Sequence, residues 1–139
     1  MSSPSCDNIP SLIPYLTVRD VQETLDYYQK TFQFELFDKP MEEDGKLVHA
    51  EMKCEESIVM MGREGAFGMT SEAPTTSGVE SPVSLYLYVK DVDKFYQHAK
   101  EAGAEITLDI QDAFWGDRMF AVNDINGHRF SFASPLKKS

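Results

Sequence analysis

Positive charge is scarce in this chain. Lys and Arg total 13 against 23 Asp and Glu, so 139 residues carry a formal net charge of -10 and a pI near 4.6. With no basic stripe to displace counterions from phosphates, nucleic acid is excluded as an expected partner. The acidity serves solubility, and it suits a neutral or cationic ligand better than a polyanion. Cysteine is scarcer still: Cys6 lies in a polar tail and Cys54 at the end of an expected strand. Neither sits in a Cys-x-x-Cys spacing, which removes thiol metal and redox motifs and points to a reducing compartment. No apolar run approaches the ~20 residues of a membrane span. Met1–Ser5 also lacks the basic-then-apolar order of a signal peptide. The expectation is a cytoplasmic protein with no membrane partner. What is left, 42% hydrophobic and 26% charged residues, is the ordinary composition of one globular domain spanning residues 1–139.

What the chain does have is a repeat. Tyr15-Leu16-Thr17-Val18-Arg19-Asp20-Val21 returns as Tyr86-Leu87-Tyr88-Val89-Lys90-Asp91-Val92, displaced by 71 residues with five of seven positions identical. Two copies at so long a period exclude a solenoid. Each copy runs from a strand pattern into an Asp that can cap a helix. After Asp20, Glu23 completes an Asp-x-x-Glu capping pattern. Val21, Leu25, Tyr28 and Phe32 then recur at the spacing of one helical face. Strand patterns follow at Phe34–Phe37, Lys46–Lys53 and Ile58–Gly62. In the middle one, Leu47, His49, Glu51 and Lys53 alternate with Val48, Ala50 and Met52. In the second copy Val92, Phe95, Ala99 and Ala102 mark the helix and Gly103 its end. Strands are expected near Ala104–Leu108, Arg118–Val122 and His128–Ala133, the last two joined by a turn at Asn123–Gly127. The reading is two βαβββ modules, about 11–62 and 83–134, with the seam between them as the natural place for a pocket. The linker, 63–82, is rich in Gly, Ser, Thr and Pro without periodicity. It is expected to be a loop that partly covers the site.

These residues resemble the vicinal oxygen chelate superfamily of glyoxalase I, extradiol dioxygenases and bleomycin resistance proteins. The resemblance rests on Pro14–Val21, Tyr27-Tyr28, His49-Ala50-Glu51-Met52, Leu87–Val92, Phe114-Trp115-Gly116-Asp117-Arg118 and Asp124–Phe132, and covers about residues 12–134. The Phe114–Arg118 segment and the His49 strand look most like the PhnB-like branch. The resemblance implies an α+β fold in which the two modules form a curved, half-open mixed sheet. It also implies a homodimer, because relatives usually complete their clefts with a second chain. In metal-dependent relatives each module supplies two ligands, and the corresponding places here are Ile13, Met60, Ser84 and Ser131. None is a plausible ligand for a catalytic divalent ion, so no metal or other cofactor is expected.

The expected function is therefore metal-free binding of an aromatic or amphipathic small molecule in a cleft between modules. Trp115, Phe114 and Arg118 lie side by side in one loop, and Tyr86 and Tyr88 share one strand face. With Met60 they are the candidate ligand-binding residues. The bland reading of the loop has Trp115 plugging the end of a sheet and Asp117 pairing with Arg118 or capping the loop. An alternative is an enzyme of the glyoxalase or dioxygenase kind using displaced ligands or metal-free acid–base chemistry. Its candidates are His49 and Glu51, which share a strand face. His98 and His128 are expected to be surface and structural residues.

Overall fold

The computed structural model describes residues 9–136, so the Cys6 tail lies outside the described residues. The first half gives β1 (Tyr15–Val18), α1 (Val21–Phe32), β2 (Glu35–Leu36), β3 (Met41–Glu43), β4 (Lys46–Cys54) and β5 (Ser57–Arg63). The second gives β6 (Ser84–Tyr88), α3 (Val92–Glu101), β7 (Glu105–Asp112), β8 (Asp117–Asn123) and β9 (Arg129–Pro135). Between them stands a one-turn helix, α2 (Pro74–Ser77). The strands form two separate mixed sheets open at their edges, β1-β5-β4-β2 with β3 added to β4, and β6-β9-β8-β7. The opening strand of each sheet runs parallel to the closing strand of its own half. The α+β, two-module architecture stands, as two sheets rather than one continuous surface.

Local chemistry sets most of the elements. Asp20 accepts a hydrogen bond from the Glu23 amide and Asp91 from that of Lys94, so both helices start on the expected caps, each worth ~1 kcal/mol. β1 begins at Tyr15, directly after Pro14, which cannot donate to a ladder although its carbonyl still accepts from Met60. β7 runs on to Asp112, past the expected Leu108, since a bulged edge strand tolerates the outward polar residues beyond it. In α3 the buried stripe is Val92, Tyr96 and Ala99, with Phe95 packed beside it. The linker was expected to be structureless. Pro74 at the first turn and Gly78 in the left-handed conformation instead bound the helix α2.

The repeat survives in three dimensions. Tyr15 pairs with Met60 and Tyr86 with Ser131; Thr17 pairs with Gly62 and Tyr88 with Ala133. Both partners of each pair shift by the same 71 residues. The halves also cap one another reciprocally. The Arg19 amide donates to the side chain of Asn126, at the tip of the β8–β9 turn, and the Lys90 amide donates to Glu55, at the tip of the β4–β5 turn. The Asn126 contact is the richer one. Buried Asp124 accepts from the Tyr28 hydroxyl and from the amides of Asn126 and His128, and Asn126 also donates to Thr24. His128 Nε2 donates to the Thr17 carbonyl, and His98 Nε2 to that of Lys30 at the end of α1. Both histidines thus join the halves. Burial and the Asp124 carboxylate hold the Tyr28 hydroxyl protonated, far above its ordinary range.

One core serves both halves. Leu16, Val18, Ala50, Met52, Val59 and Met61 face inward from the first sheet, and Leu87, Phe120, Val122, Phe130 and Phe132 from the second, with α1 and α3 supplying the rest. At its centre Phe132 lies 5.1 Å from Phe32 and 4.3 Å from Phe95, ring centroid to centroid. The middle of the seam is therefore filled with aromatic rings, not hollow. The opposite face of each sheet is left to the outside, and strand alternation decides which side chains it carries.

Candidate functional site

On the outer face of the second sheet, strand pairing aligns Tyr86 with Ser131 and Ala121, and Tyr88 with Ala133 and Met119. Asp117 lies at the start of β8. The Tyr86 and Tyr88 hydroxyls each donate to one oxygen of Asp117 at 2.7 Å, and Trp115 Nε1 donates to the same oxygen at 3.2 Å and to the Tyr86 hydroxyl at 2.9 Å. Asp117 keeps only 5% of its surface, covered by these rings rather than by depth in the core. The Tyr86 hydrogen bond is the largest influence on its carboxyl; desolvation, the next largest, opposes it, and with the hydrogen bonds of Tyr88 and Trp115 added the carboxyl is held below the ordinary 3.8. Burial, then Asp117, pushes the Tyr86 hydroxyl up to about 12. The Asp117 hydrogen bond likewise raises that of Tyr88. The carboxylate stays charged and the phenols stay donors. The rings are tilted about this hub, Tyr86 5.6 Å from Tyr88 and 6.4 Å from Trp115, and they remain substantially exposed. Phe114 stands edge-on to Trp115 and is 97% exposed.

Trp115, Phe114, Tyr86 and Tyr88 are thus brought together as expected from the sequence. Arg118 is not among them. Alternation turns it to the helix side, where it donates to Asp93 at 2.8 Å and Asp112 at 2.9 Å. Asp117 does not pair with Arg118; it is the hub that the sequence reading missed. Its signal was available in the two-residue spacing from Trp115, but not its reach to Tyr86 and Tyr88, which lie 31 and 29 residues away.

The first sheet carries a different group. His49 Nε2 lies 3.2 Å from Glu51 Oε2, and Nδ1 lies 3.1 Å from the Tyr15 hydroxyl. A carboxylate only accepts, so Nε2 donates to Glu51, and in the neutral ring Nδ1 is left to accept from the Tyr15 hydroxyl. Burial and then Glu51 raise the Tyr15 pKa, keeping it a phenol. Gly62 makes the contact possible: a Cβ there would come within 2.6 Å of the Tyr15 oxygen. Met60 pairs with Tyr15 and with Glu51 on this sheet, apart from the Trp115 group.

The metal places do not fit an ion. Ile13 precedes β1, Met60 offers a thioether, and the Ser84 and Ser131 hydroxyls lie 3.3 Å from each other. Among the described residues no three His, Cys, Asp or Glu side chains are grouped to hold a metal. Buried Cys54 has its thiol pushed up to about 12 by burial and Glu55, so it is no nucleophile at neutral pH. A cavity of about 370 Å³ does open along the seam, between the segment Pro10–Pro14, the start of β5 and β6. Its walls are mostly apolar, and Tyr86 is the one ligand-binding candidate among them. The linker does not close over the Trp115 group. Ser71 reaches Thr17, and α2 lies on the β8–β9 turn, where the Thr75 amide donates to the Asn126 carbonyl. Gly127, in the left-handed conformation, leaves no room for a Cβ against Pro74.

The family model described as glyoxalase/bleomycin resistance protein/dioxygenase superfamily matches residues 9–132. The chain belongs to this superfamily. An uncharacterized protein of Mycobacterium tuberculosis (strain ATCC 25618 / H37Rv) is 35% identical over 131 residues, 93% of this chain and 76% of that one. A bleomycin resistance protein of Staphylococcus aureus (strain N315) is 29% identical over 133 residues, 90% and 96% of the two chains. Among solved structures, TioX from Micromonospora sp. ML1 superposes with a TM-score of 0.74 at 29% identity, over 90% of this chain and 98% of that one. The bleomycin resistance determinant of transposon Tn5 gives 0.67 at 17% identity over 91% and 98%, a likeness of fold alone. No helix among the described residues is long and apolar enough to cross a membrane.

Proposed function

We propose that the protein is a metal-free binding protein that sequesters a small aromatic or amphipathic molecule against Trp115, Tyr86 and Tyr88. The observation that carries this reading is the Asp117 hub. Three aromatic side chains have their polar ends fixed on one carboxylate while their faces stay open, a preorganised stacking surface. Phe114 extends the wall. The relatives named for bleomycin resistance support a small-molecule role, and membership of the PhnB-like branch, read from the Phe114–Arg118 segment, is part of the proposal. A homodimer is part of the proposal. Tyr15, Tyr86, Tyr88 and Trp115 all lie on outer faces, and a second copy set against either face would deepen it into a cleft. The test is a panel of planar aromatics titrated against the fluorescence of Trp115, the single tryptophan. Saturable quenching that is lost when Tyr86 and Tyr88 are both changed to Ala is expected, and a flat response across the panel would end the reading. Sedimentation showing only a 15.7 kDa species at micromolar concentration would count against the dimer.

A second reading has its own observation, the continuous Tyr15–His49–Glu51 chain. Such a chain can take a proton at the Tyr15 oxygen, pass the phenol proton to His49 Nδ1, and leave the imidazolium facing Glu51. It predicts deuterium uptake from D2O at carbon next to a ligand carbonyl. Exchange that survives His49→Gln would remove it.

A further inference from the structure

Of the six tyrosines in the chain, four have hydroxyls that donate to an aspartate: Tyr28 to Asp124, Tyr86 and Tyr88 to Asp117, and Tyr96 to Asp109. Tyr15 differs. Its hydroxyl lies 3.1 Å from His49 Nδ1, and the other nitrogen of that ring donates to Glu51. A carboxylate, with an ordinary pKa of about 4, holds a phenol in place, whereas an imidazole, at about 6.5, is a base strong enough to take its proton during a reaction. The side chains of His49 and Glu51 keep 21% of their surface each, while Tyr15 is 45% exposed, so the base and its carboxylate are sheltered beneath a more open phenol. Tyr15 reaches them by leaning across Gly62, where a Cβ would come within 2.6 Å of its oxygen. Met60 pairs with Tyr15 and Glu51, and Met41 with His49, so two unbranched apolar side chains border the group on the same face.

We infer that Tyr15 is a nucleophile for acyl transfer, with His49 as its general base and Glu51 holding the His49 ring. The phenol oxygen attacks the carbonyl carbon of an ester while its proton passes to Nδ1. The bond to the leaving oxygen or sulfur then breaks, and the Nδ1 proton goes to that atom. Water next attacks the O-acyl-tyrosine and gives a proton to Nδ1. As the acyl–oxygen bond breaks, Tyr15 recovers that proton. The sum is ester and water to carboxylic acid and leaving group. A phenol of pKa near 10 displaces leaving groups of similar or greater acidity, which makes the substrate an aryl ester or a thioester. Its acyl arm is apolar and runs along Met41 and Met60. This assignment rests on the proton path of the second reading above and adds a bond formed at the Tyr15 oxygen.

The test mixes the protein with 4-nitrophenyl butyrate, follows nitrophenolate release, and locates butyryl groups in acid-quenched peptides by mass spectrometry. Label is expected on Tyr15 at least about tenfold faster than on Tyr86 or Tyr88, with about a hundredfold loss in His49→Gln. Gly62→Ala keeps all three groups but displaces the Tyr15 oxygen, and is expected to slow labelling with the circular dichroism unchanged. Glu51 acts through His49 as a positioning residue. Glu51→Ala should shift both imidazole ¹⁵N resonances and slow labelling, and unmoved resonances would remove that role. Equal labelling of the three tyrosines, or labelling of Tyr15 that is undiminished in His49→Gln, overturns the assignment. Deuterium uptake from D2O next to a ligand carbonyl, with Tyr15 unlabelled, removes the nucleophile and leaves the proton path. Absence of both removes the path as well.

Discussion

The two sheets are built to the same plan and differ on one face. Inside, Leu16 and Leu87, Met61 and Phe132, and Val18 and Val89 occupy equivalent places and all are buried. Outside, both sheets begin with a tyrosine, Tyr15 or Tyr86, yet the two hydroxyls find different partners. In the first sheet Tyr15 leans over Gly62 to His49. In the second, Ala133 stands in the place of Gly62, Met119 pairs with it as His49 does with Gly62, and Tyr86 runs on to Asp117. The lesson is that a shared core fixes the scaffold while the outward side chains, free of packing constraints, set the chemistry of each half. One half carries a hydrogen-bonded Tyr15–His49–Glu51 chain and the other an aromatic group gathered on the Asp117 carboxylate.

The contrast between the halves can be broken first at their junction, where the largest effects belong. Asp124→Ala strands the buried Tyr28 hydroxyl and Asn126 amide and the half-buried His128 amide, and is expected to cost about 3 kcal/mol or more. Lys53→Ala, its exposed counterpart in the repeat, should change stability by less than about 0.5 kcal/mol. Urea unfolding curves of the two variants measure the gap, and equal losses would contradict the unequal clamp described above. The same comparison at the turn tips is smaller. Asn126→Ala removes the acceptor for Arg19 and the bond to Thr24, about 2 kcal/mol. Exposed Glu55→Ala should cost about 0.5 kcal/mol or less.

Next comes the second sheet's outer face, through pH. Because hydrogen bonds hold the folded Asp117 carboxyl below 3.8, its contribution is present above that pH and is lost as pH falls through the lower folded value. The stability difference between the native chain and Asp117→Asn should therefore narrow below pH 4. A constant difference from pH 6 to 3 would show that the tyrosines do not stabilise the charge. In alkali the sign reverses. Tyr86, raised from 10 to about 12, favours the folded state below pH 10 and ceases to do so as pH passes 12. A tyrosinate absorbance titration should show several late-ionising groups, Tyr28 among them, and one fewer in Tyr86→Phe. The smallest effect is Gly62→Ala. The new methyl meets the mobile end of Tyr15, so stability should barely change while the ¹⁵N shift of His49 Nδ1 moves as its donor swings away. A large loss of stability there would mean that the ring is fixed more firmly than its exposure suggests.

Much of this was legible in residue order. The Asp20 and Asp91 caps, the buried stripe of α1, the alternation of β4 and the Asn-Gly turn are local patterns, each set by interactions within a few residues. Trp115, Phe114, Tyr86 and Tyr88 could be picked out as candidates because aromatic side chains in a loop and on one strand face are visible as such. That Arg118 turns away from this group was not legible, because, of the carboxylates that hold it, one, Asp93, lies on α3, 25 residues away. The role of Tyr15 was hidden for the same reason, since its partner His49 lies 34 residues away.

By itself, then, the sequence determined a duplicated βαβββ chain, its helix starts and the side of each strand that would be buried. Only the tertiary structure decided that the seam is filled by Phe32, Phe95 and Phe132, that Asp117 gathers Tyr86, Tyr88 and Trp115, and that Tyr15 joins His49 and Glu51. The physical reason is range. Periodicity and capping act over a turn or a strand, whereas which outer residues meet depends on strand register and on the packing of two halves, both settled by contacts tens of residues apart.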